Sequence, residues 1–410
     1  MKRQGRIRCT TDHLDRRDKA MADSLRKLRP FELARWQLDR DQERMRRTSV
    51  LLARKQQRMS VSPFAFLRGS APLFYRVLSN TPRLGRGPDE DGMLCGDLHL
   101  ENFGVYRPDK PSRFGDRVVF DLNDVDETFI GPLHLDLLRL LTSTLLAARS
   151  WGCNAAAAIE LAGAFVDGYR RGRGGGRSPS VPPPVSELLA RVAARKRRAL
   201  LEKRTVVVGH RRKFRIGDNF LRLPRSTRKA CALAFRRFAT GEAKRARHPL
   251  ERFSVLDVAF RVAGTGSLGT FRVAVLVEGH GTRDGAWMFD MKGMGESAGS
   301  RFATGPVEIG PERVATALRT LLRSPPVMLG TVRALGHGLL VRRLTPQEDR
   351  LDWPTIQHAQ RAPTLAYLGG LTAAAHRRGK GKSLPPLADA DGRRVLRNAV
   401  ELAGLHESVA

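Results

Sequence analysis

The chain has 410 residues, 41% of them hydrophobic and 28% charged, and a formal net charge of +32. That length holds two or three ordinary domains around a large core, and that balance excludes a disordered chain. No apolar run approaches the roughly 18 residues a membrane span needs, which excludes a helical integral membrane protein.

The basic start, Met1-Lys2-Arg3, is not followed by an apolar stretch, so no cleaved secretion signal is expected. Residues 1–60 read as charged helices, with Leu28, Phe31, Leu33, Trp36 and Leu38 as the apolar positions. An apolar knot follows, Ser62-Pro63-Phe64-Ala65-Phe66-Leu67, ending at Arg68 and Gly69. Residues 93–126 predict two strands with a polar turn between them, the second strand ending in Asp121 and an acidic loop. The spacing predicts helices over 132–148, with Asp136 in the first turns, and over 155–170. Residues 171–188 are rich in Gly, Arg and Pro and read as a linker. Residues 190–250 are strongly basic. From about Ser254 the pattern changes to strands: 255–262, then a glycine turn, 271–277, and 287–292. Pro311 opens a helix, two strands follow over 327–334 and 338–344, and helices are expected over 357–378 and 392–405.

Two constellations carry chemistry. In the first, Asp97 is followed five positions on by Asn102, and Asp121 stands at the end of the next apolar strand. Phosphoryl transfer to a hydroxyl needs a carboxylate to take the hydroxyl proton. It also needs an amide oxygen and a second carboxylate to hold Mg²⁺ against phosphates. The same residues could simply cap turns. A calcium-binding loop over Asp121, Asn123, Asp124 and Asp126 is a weaker competitor, because the sixth-position glycine and the terminal Glu of an EF-hand are absent. The second constellation is the turn Gly264-Thr265-Gly266-Ser267-Leu268-Gly269 between two strands, with Lys292 in the third. Glycines let backbone N–H groups approach phosphate oxygens, and a strand lysine neutralises them. Alone, it reads equally as a tight hairpin.

These stretches, with Cys95-Gly96-Asp97-Leu98-His99 through Asn102 and Phe120-Asp121-Leu122-Asn123-Asp124, resemble the bacterial family catalogued as domain of unknown function 2252. The resemblance covers roughly 28–379 and is weakest over 171–250. That family is grouped with the protein-kinase-like fold. The Gly96-Asp97 to Asn102 stretch is also similar to the catalytic loop of aminoglycoside and choline phosphotransferases. The resemblance implies Asp97 as catalytic base, Asn102 and Asp121 as Mg²⁺ ligands, and Asp136 as the buried brace of the catalytic loop. Cys95 stands where many phosphotransferases carry a histidine and is read as a small packed side chain. Gly264, Gly266, Ser267, Gly269 and Lys292 would then bind ATP. Glu312 is the first candidate to pair with Lys292, and Glu308 the second. Arg68, His99 and Asp124 are candidates for contact with substrate or phosphate, and Arg68 reads equally as half of a buried ion pair.

In a protein kinase the glycine loop precedes the catalytic loop, whereas here it follows. Circular permutation resolves the order, since packing survives a change of connectivity when the old ends lie close. The expected fold is therefore α+β, a permuted two-lobe kinase-like plan. Residues 1–90 form a helical segment on the large lobe. Residues 91–250 form the large lobe with a basic insertion at 171–250. Residues 251–345 form the small nucleotide lobe, and 346–410 the hinge region and returning helices. Cofactors ATP and Mg²⁺ are expected, with a small-molecule or protein hydroxyl as acceptor. A nucleotide-binding pseudokinase or an adenylyl-transferring relative is the alternative. A basic nucleic-acid-binding protein is the second alternative, since +32 attracts polyanions. Against that, aromatic content is 6%, poor for base stacking, and no zinc-finger or RRM signature is present. Cys9, Cys95, Cys153 and Cys231 lie far apart, which predicts a reduced cytoplasmic protein without structural zinc.

Overall fold

A computed structural model describes residues 29–46, 48–109, 118–175, 180–282 and 284–410. The basic N-terminus, Cys9 and most of the polar loop before the second predicted strand lie outside them. The chain opens with four helices, α1 (Pro30–Met45), α2 (Ser49–Met59), α3 (Pro63–Gly69) and α4 (Ala71–Asn80). Their starts are written locally. Proline sits in the first turn of α1, α3 and α4, where its missing N–H costs nothing. The Ser62 hydroxyl caps α3 by accepting from the Ala65 amide at 3.1 Å. Buried Lys55 on α2 pairs with buried Asp41 on α1 at 2.6 Å, and Gln37 donates to the same carboxylate at 3.0 Å.

Next come β1 (Asp91–Leu94), β2 (Phe103–Tyr106), β3 (Val119–Leu122) and β4 (Phe129–Pro132). β1 pairs with β4, and β2 with β3. The loop carrying Asp97 therefore leaves one small sheet and enters another. Helices α5 (His134–Ser150) and α6 (Ala155–Arg173) follow, the second capped by Asn154, whose side chain accepts from the Ala157 amide at 2.9 Å. α7 (Pro183–Ala193) and α8 (Arg197–Arg204) lead to the hairpin β5 (Thr205–Val208) and β6 (Arg211–Phe214), then β7 (Phe220–Leu221) and α9 (Arg225–Arg245). Strands β8 (Val255–Arg261), β9 (Arg272–Val277) and β10 (Trp287–Gly293), helix α10 (Pro311–Leu321), and strands β11 (Gly330–Ala334), β12 (His337–Leu344) and β13 (Asp349–Arg350) follow. Helices α11 (His358–Lys380) and α12 (Asp389–Val409) end the chain.

Six strands form one sheet in the order β11-β12-β10-β9-β8-β7. All its pairings are antiparallel, and most of the helices pack in a separate core, which is the α+β class. One face packs Val258, Val273, Val275 and Phe289 against Phe235 and Phe238 of α9. The other packs Ala274, Leu276 and Met288 against Leu201 and Phe214. A larger core unites α5, α6, α11, α12 and the small sheets. There α6 and α11 approach closely: a Cβ on Gly168 would lie 1.9 Å from the Ala366 carbonyl oxygen.

The sequence assigns 171–250 to the large lobe, and here the structure differs. β7 is a strand of the six-stranded sheet, and α9 covers one of its faces. The physical reason is the apolar stripe Cys231, Ala234, Phe235, Phe238 and Ala239, spaced three and four apart, which needs a surface to cover it. No described helix is long and apolar enough to cross a membrane.

Candidate functional site

The loop after β1 is anchored from below. Asp136, in the first turn of α5, accepts hydrogen bonds from the Cys95 amide at 2.7 Å and the Gly96 amide at 2.9 Å. Its Oδ2 also meets His376 Nε2 of α11 at 3.0 Å, and His376 Nδ1 meets the Tyr169 hydroxyl at 2.9 Å. Gly96 has φ +81°, and a Cβ there would strike the Glu127 carbonyl oxygen, so the turn requires glycine. Asp97 follows, with one carboxylate oxygen held by Arg139 Nε. Arg139 is fully buried. It also donates to the Leu67 carbonyl at 2.9 Å and stacks on Phe74 at 4.9 Å. Burial pushes the Asp97 carboxyl up to about 7 against the pull of Arg139, and the nearby Glu127 and Asp124 carboxylates add to the rise. Arg139 stands three residues after Asp136 on one helical face, a spacing that the sequence displays.

Asn102 closes the same loop. Its Nδ2 donates to the Asp124 carbonyl at 3.2 Å. Its Oδ1 is buried and has no hydrogen-bond partner among the described residues. The acidic loop after β3 lies alongside, with the exposed Asp124 and the half-buried Asp126. Asp121 does not join them. Its carboxylate is buried, accepts from the Arg323 amide at 2.7 Å, and lies 3.6 Å from Arg378. Asp121 therefore does not line the cavity with Asp97 and Asn102, whereas Asp124 does, its backbone carbonyl holding Asn102 and its side chain accepting from the Asp126 amide at 3.3 Å.

The glycine turn between β8 and β9 is a compact loop. Gly264 and Gly269 adopt φ of +74° and +85°, and the Ser267 hydroxyl donates to the Ala263 carbonyl at 2.8 Å. The N-terminal helices grip it. Arg58 donates to the Gly264 carbonyl at 3.0 Å and Arg44 to the Thr270 hydroxyl at 2.7 Å. A Cβ on Gly269 would lie 2.5 Å from Met45 Cγ. Lys292, on β10, reaches across to an ion pair with Asp126. Burial pulls its ammonium below the ordinary lysine range.

All of this surrounds one cavity of about 750 Å³. Asp97, Asn102, Asp124, Lys292, Gly264, Gly266, Ser267, Arg68 and His99 line it. Gly269, Asp121, Asp136 and Glu312 do not. Glu312 is exposed in the first turn of α10, and Glu308 is exposed as well. Asp126 occupies the place beside Lys292 that the sequence reading gives to either glutamate. Arg68 pairs with Glu101 at 2.6 Å, and Arg350 pairs with the same carboxylate. Burial and the nearby arginines hold the His99 imidazole well below its usual range. Leu344 pairs with Met288 at the other end of β10 and packs in the core on the sheet face that carries Lys292, and Thr345 to Gln347 border a separate small cavity. Beside Lys292 on the same sheet face, Asp290 is buried between Arg272 at 2.6 Å and Arg261 at 2.8 Å.

Sequence reasoning missed Arg139, Asp126 and the contribution of α1 and α4, which supply Trp36, Arg40, Arg44 and Arg76 to the cavity. Among the described residues, no cluster of three or more His, Cys, Asp or Glu could hold a metal by itself.

The model of the family described as "Uncharacterized protein conserved in bacteria (DUF2252)" matches residues 47–403, and the chain belongs to that family. No curated protein and no solved structure matches it.

Proposed function

We propose that the cavity binds a nucleoside triphosphate with Mg²⁺ and that the protein transfers the terminal phosphoryl group to a hydroxyl acceptor, on a permuted kinase-like plan. The observation that carries this reading is the convergence of Asp97, Asn102, Asp124, Lys292 and the glycine turn on one cavity. Lys292 and the turn would hold phosphate oxygens. Asn102 Oδ1 and Asp124 would hold Mg²⁺. The orphaned amide oxygen fits that ion, which takes one or two carboxylates and completes its shell with water and substrate phosphate. When bound, Mg²⁺ neutralises charge on the phosphates.

Asp97 performs the proton transfer. Its second carboxylate oxygen has no partner among the described residues, and Arg139 fixes the first. A carboxyl with a pKa near 7 accepts a hydroxyl proton more readily than an ordinary aspartate. As the acceptor oxygen bonds to the γ-phosphorus, its proton passes to Asp97. The bond from that phosphorus to its bridging oxygen breaks, and the nucleoside diphosphate leaves.

The test is transfer of label from ATP in the presence of a small-molecule extract. Label at the γ position is expected to move to a new compound, and label at the α position to stay with the nucleotide. Transfer from the α position instead, or from neither, contradicts the proposal.

A further inference from the structure

The cavity has a second end that phosphate binding by Lys292 does not use. Arg76 of α4 lies over the Trp36 ring of α1, its guanidinium carbon 4.3 Å from the ring centre. Arg40 approaches the same ring at 6.0 Å. Arg301, on the turn after β10, faces the same space. None of the three has a carboxylate partner among the described residues. The Nε of Arg76 and the Nδ2 of Asn80 are buried and lack hydrogen-bond partners among the described residues. Burial, and after it the charge of Arg301, holds the Arg76 guanidinium below its ordinary range. The nearby carboxylates are engaged elsewhere: Glu127 accepts from the Ala298 amide at 2.6 Å, and Glu296 from the Ser300 hydroxyl at 2.5 Å. At the other end, by contrast, Lys292 and Arg68 each have a carboxylate partner.

Guanidinium groups collected about an aromatic face with no direct carboxylate contact, and with donors left open, form a receptor for an oxyanion. We propose that this end binds the anionic group of the hydroxyl acceptor, a phosphate or a carboxylate. The acceptor would then be an anionic small molecule, not a cation of the choline kind. The assignment rests on the phosphoryl-transfer reading for the word "acceptor", but the anion site can be measured without it.

The experiment titrates inorganic phosphate, and separately malonate, onto the full chain by calorimetry. Arg76→Gln and Arg301→Gln are each expected to weaken the tighter-binding anion at least about tenfold, the loss of one charge-assisted contact. Lys292→Met is measured beside them: an anion seated on Lys292 would be lost in that variant and kept in the arginine variants. Arg301 is exposed, so its variant should keep the parent melting temperature and stands if the Arg76 variant misfolds. Parent protein that binds neither anion overturns the proposal. So do arginine variants that bind as the parent does, or an anion lost with Lys292 alone. A parallel ATP titration separates the two readings. ATP binding absent from the parent defeats phosphoryl transfer, whereas anion binding that ignores both arginines defeats only this assignment.

Discussion

Asp97 keeps its proton to a higher pH than an aspartate in water because burial penalises the charged form more than Arg139 rewards it. Two consequences follow in opposite directions. The proposed transfer requires the ionised form, so kcat/KM for label transfer should rise with pH through an apparent pKa near 7. A flat profile between about pH 5 and 8 would deny Asp97 its role as base. Stability runs the other way. The folded state holds this proton between about 3.8 and 7, where the unfolded chain has released it, so this contribution is present at low pH and lost as pH rises through 7. Asp97→Asn should remove both dependences and lower turnover by about 10² to 10⁴. Asp121 and Asp124 should separate cleanly. Asp124→Asn should weaken Mg²⁺-dependent nucleotide binding and leave the melting temperature nearly unchanged, because the side chain is exposed. Asp121→Asn should cost about 1–3 kcal/mol of stability, the loss of a buried charged acceptor, with metal dependence retained. The reverse pattern, read by calorimetry and thermal melting, would return the metal to Asp121. The sequence could not choose between them. All four residues of β3 are buried, so period-two alternation does not tell which face Asp121 takes.

Elements were more legible than their faces. The strand–glycine turn–strand–lysine order, the Asp97 loop and the helix carrying Asp136 are all local patterns, and each forms where the spacing puts it. The face that α1 turns inward was not legible. Trp36, Arg40 and Arg44 recur every four residues, but a charged stripe looks the same whether it meets water or a cavity. α9 is the opposite case. Its apolar stripe was readable, and the surrounding arginines obscured it. The brace between α5 and α11 gives a test at this scale. Asp136→Ala leaves the Cys95 and Gly96 amides and His376 without their buried acceptor. It should lower the unfolding free energy by about 3–5 kcal/mol, measured by denaturant titration. A loss below about 1 kcal/mol, the range of a surface change, would show that the loop holds itself.

Across the whole molecule, the N-terminal helices join two bodies. Through Arg44, Arg58 and Met45 they hold the glycine turn, and through Leu67 they hold Arg139 behind Asp97. They thereby wall the cavity that the sheet and the helical core share. The net charge of +32 is a property of the same scale. Arg225, Lys229, Arg236 and Arg237 stay exposed on α9 once its apolar side meets the sheet. Any nucleic-acid affinity should therefore be electrostatic and fall steeply with salt, as a filter-binding series would show, whereas binding that ignores salt would demand a specific interface. The central claim is that Lys292 and the glycine turn hold a triphosphate opposite Asp97. Calorimetric titration of Mg·ATP onto parent protein and Lys292→Met tests it most directly. The claim predicts Mg²⁺-dependent binding to the parent and a loss of at least about tenfold in the variant, at an unchanged melting temperature. Equal affinity in the two proteins, or none in either, would contradict it.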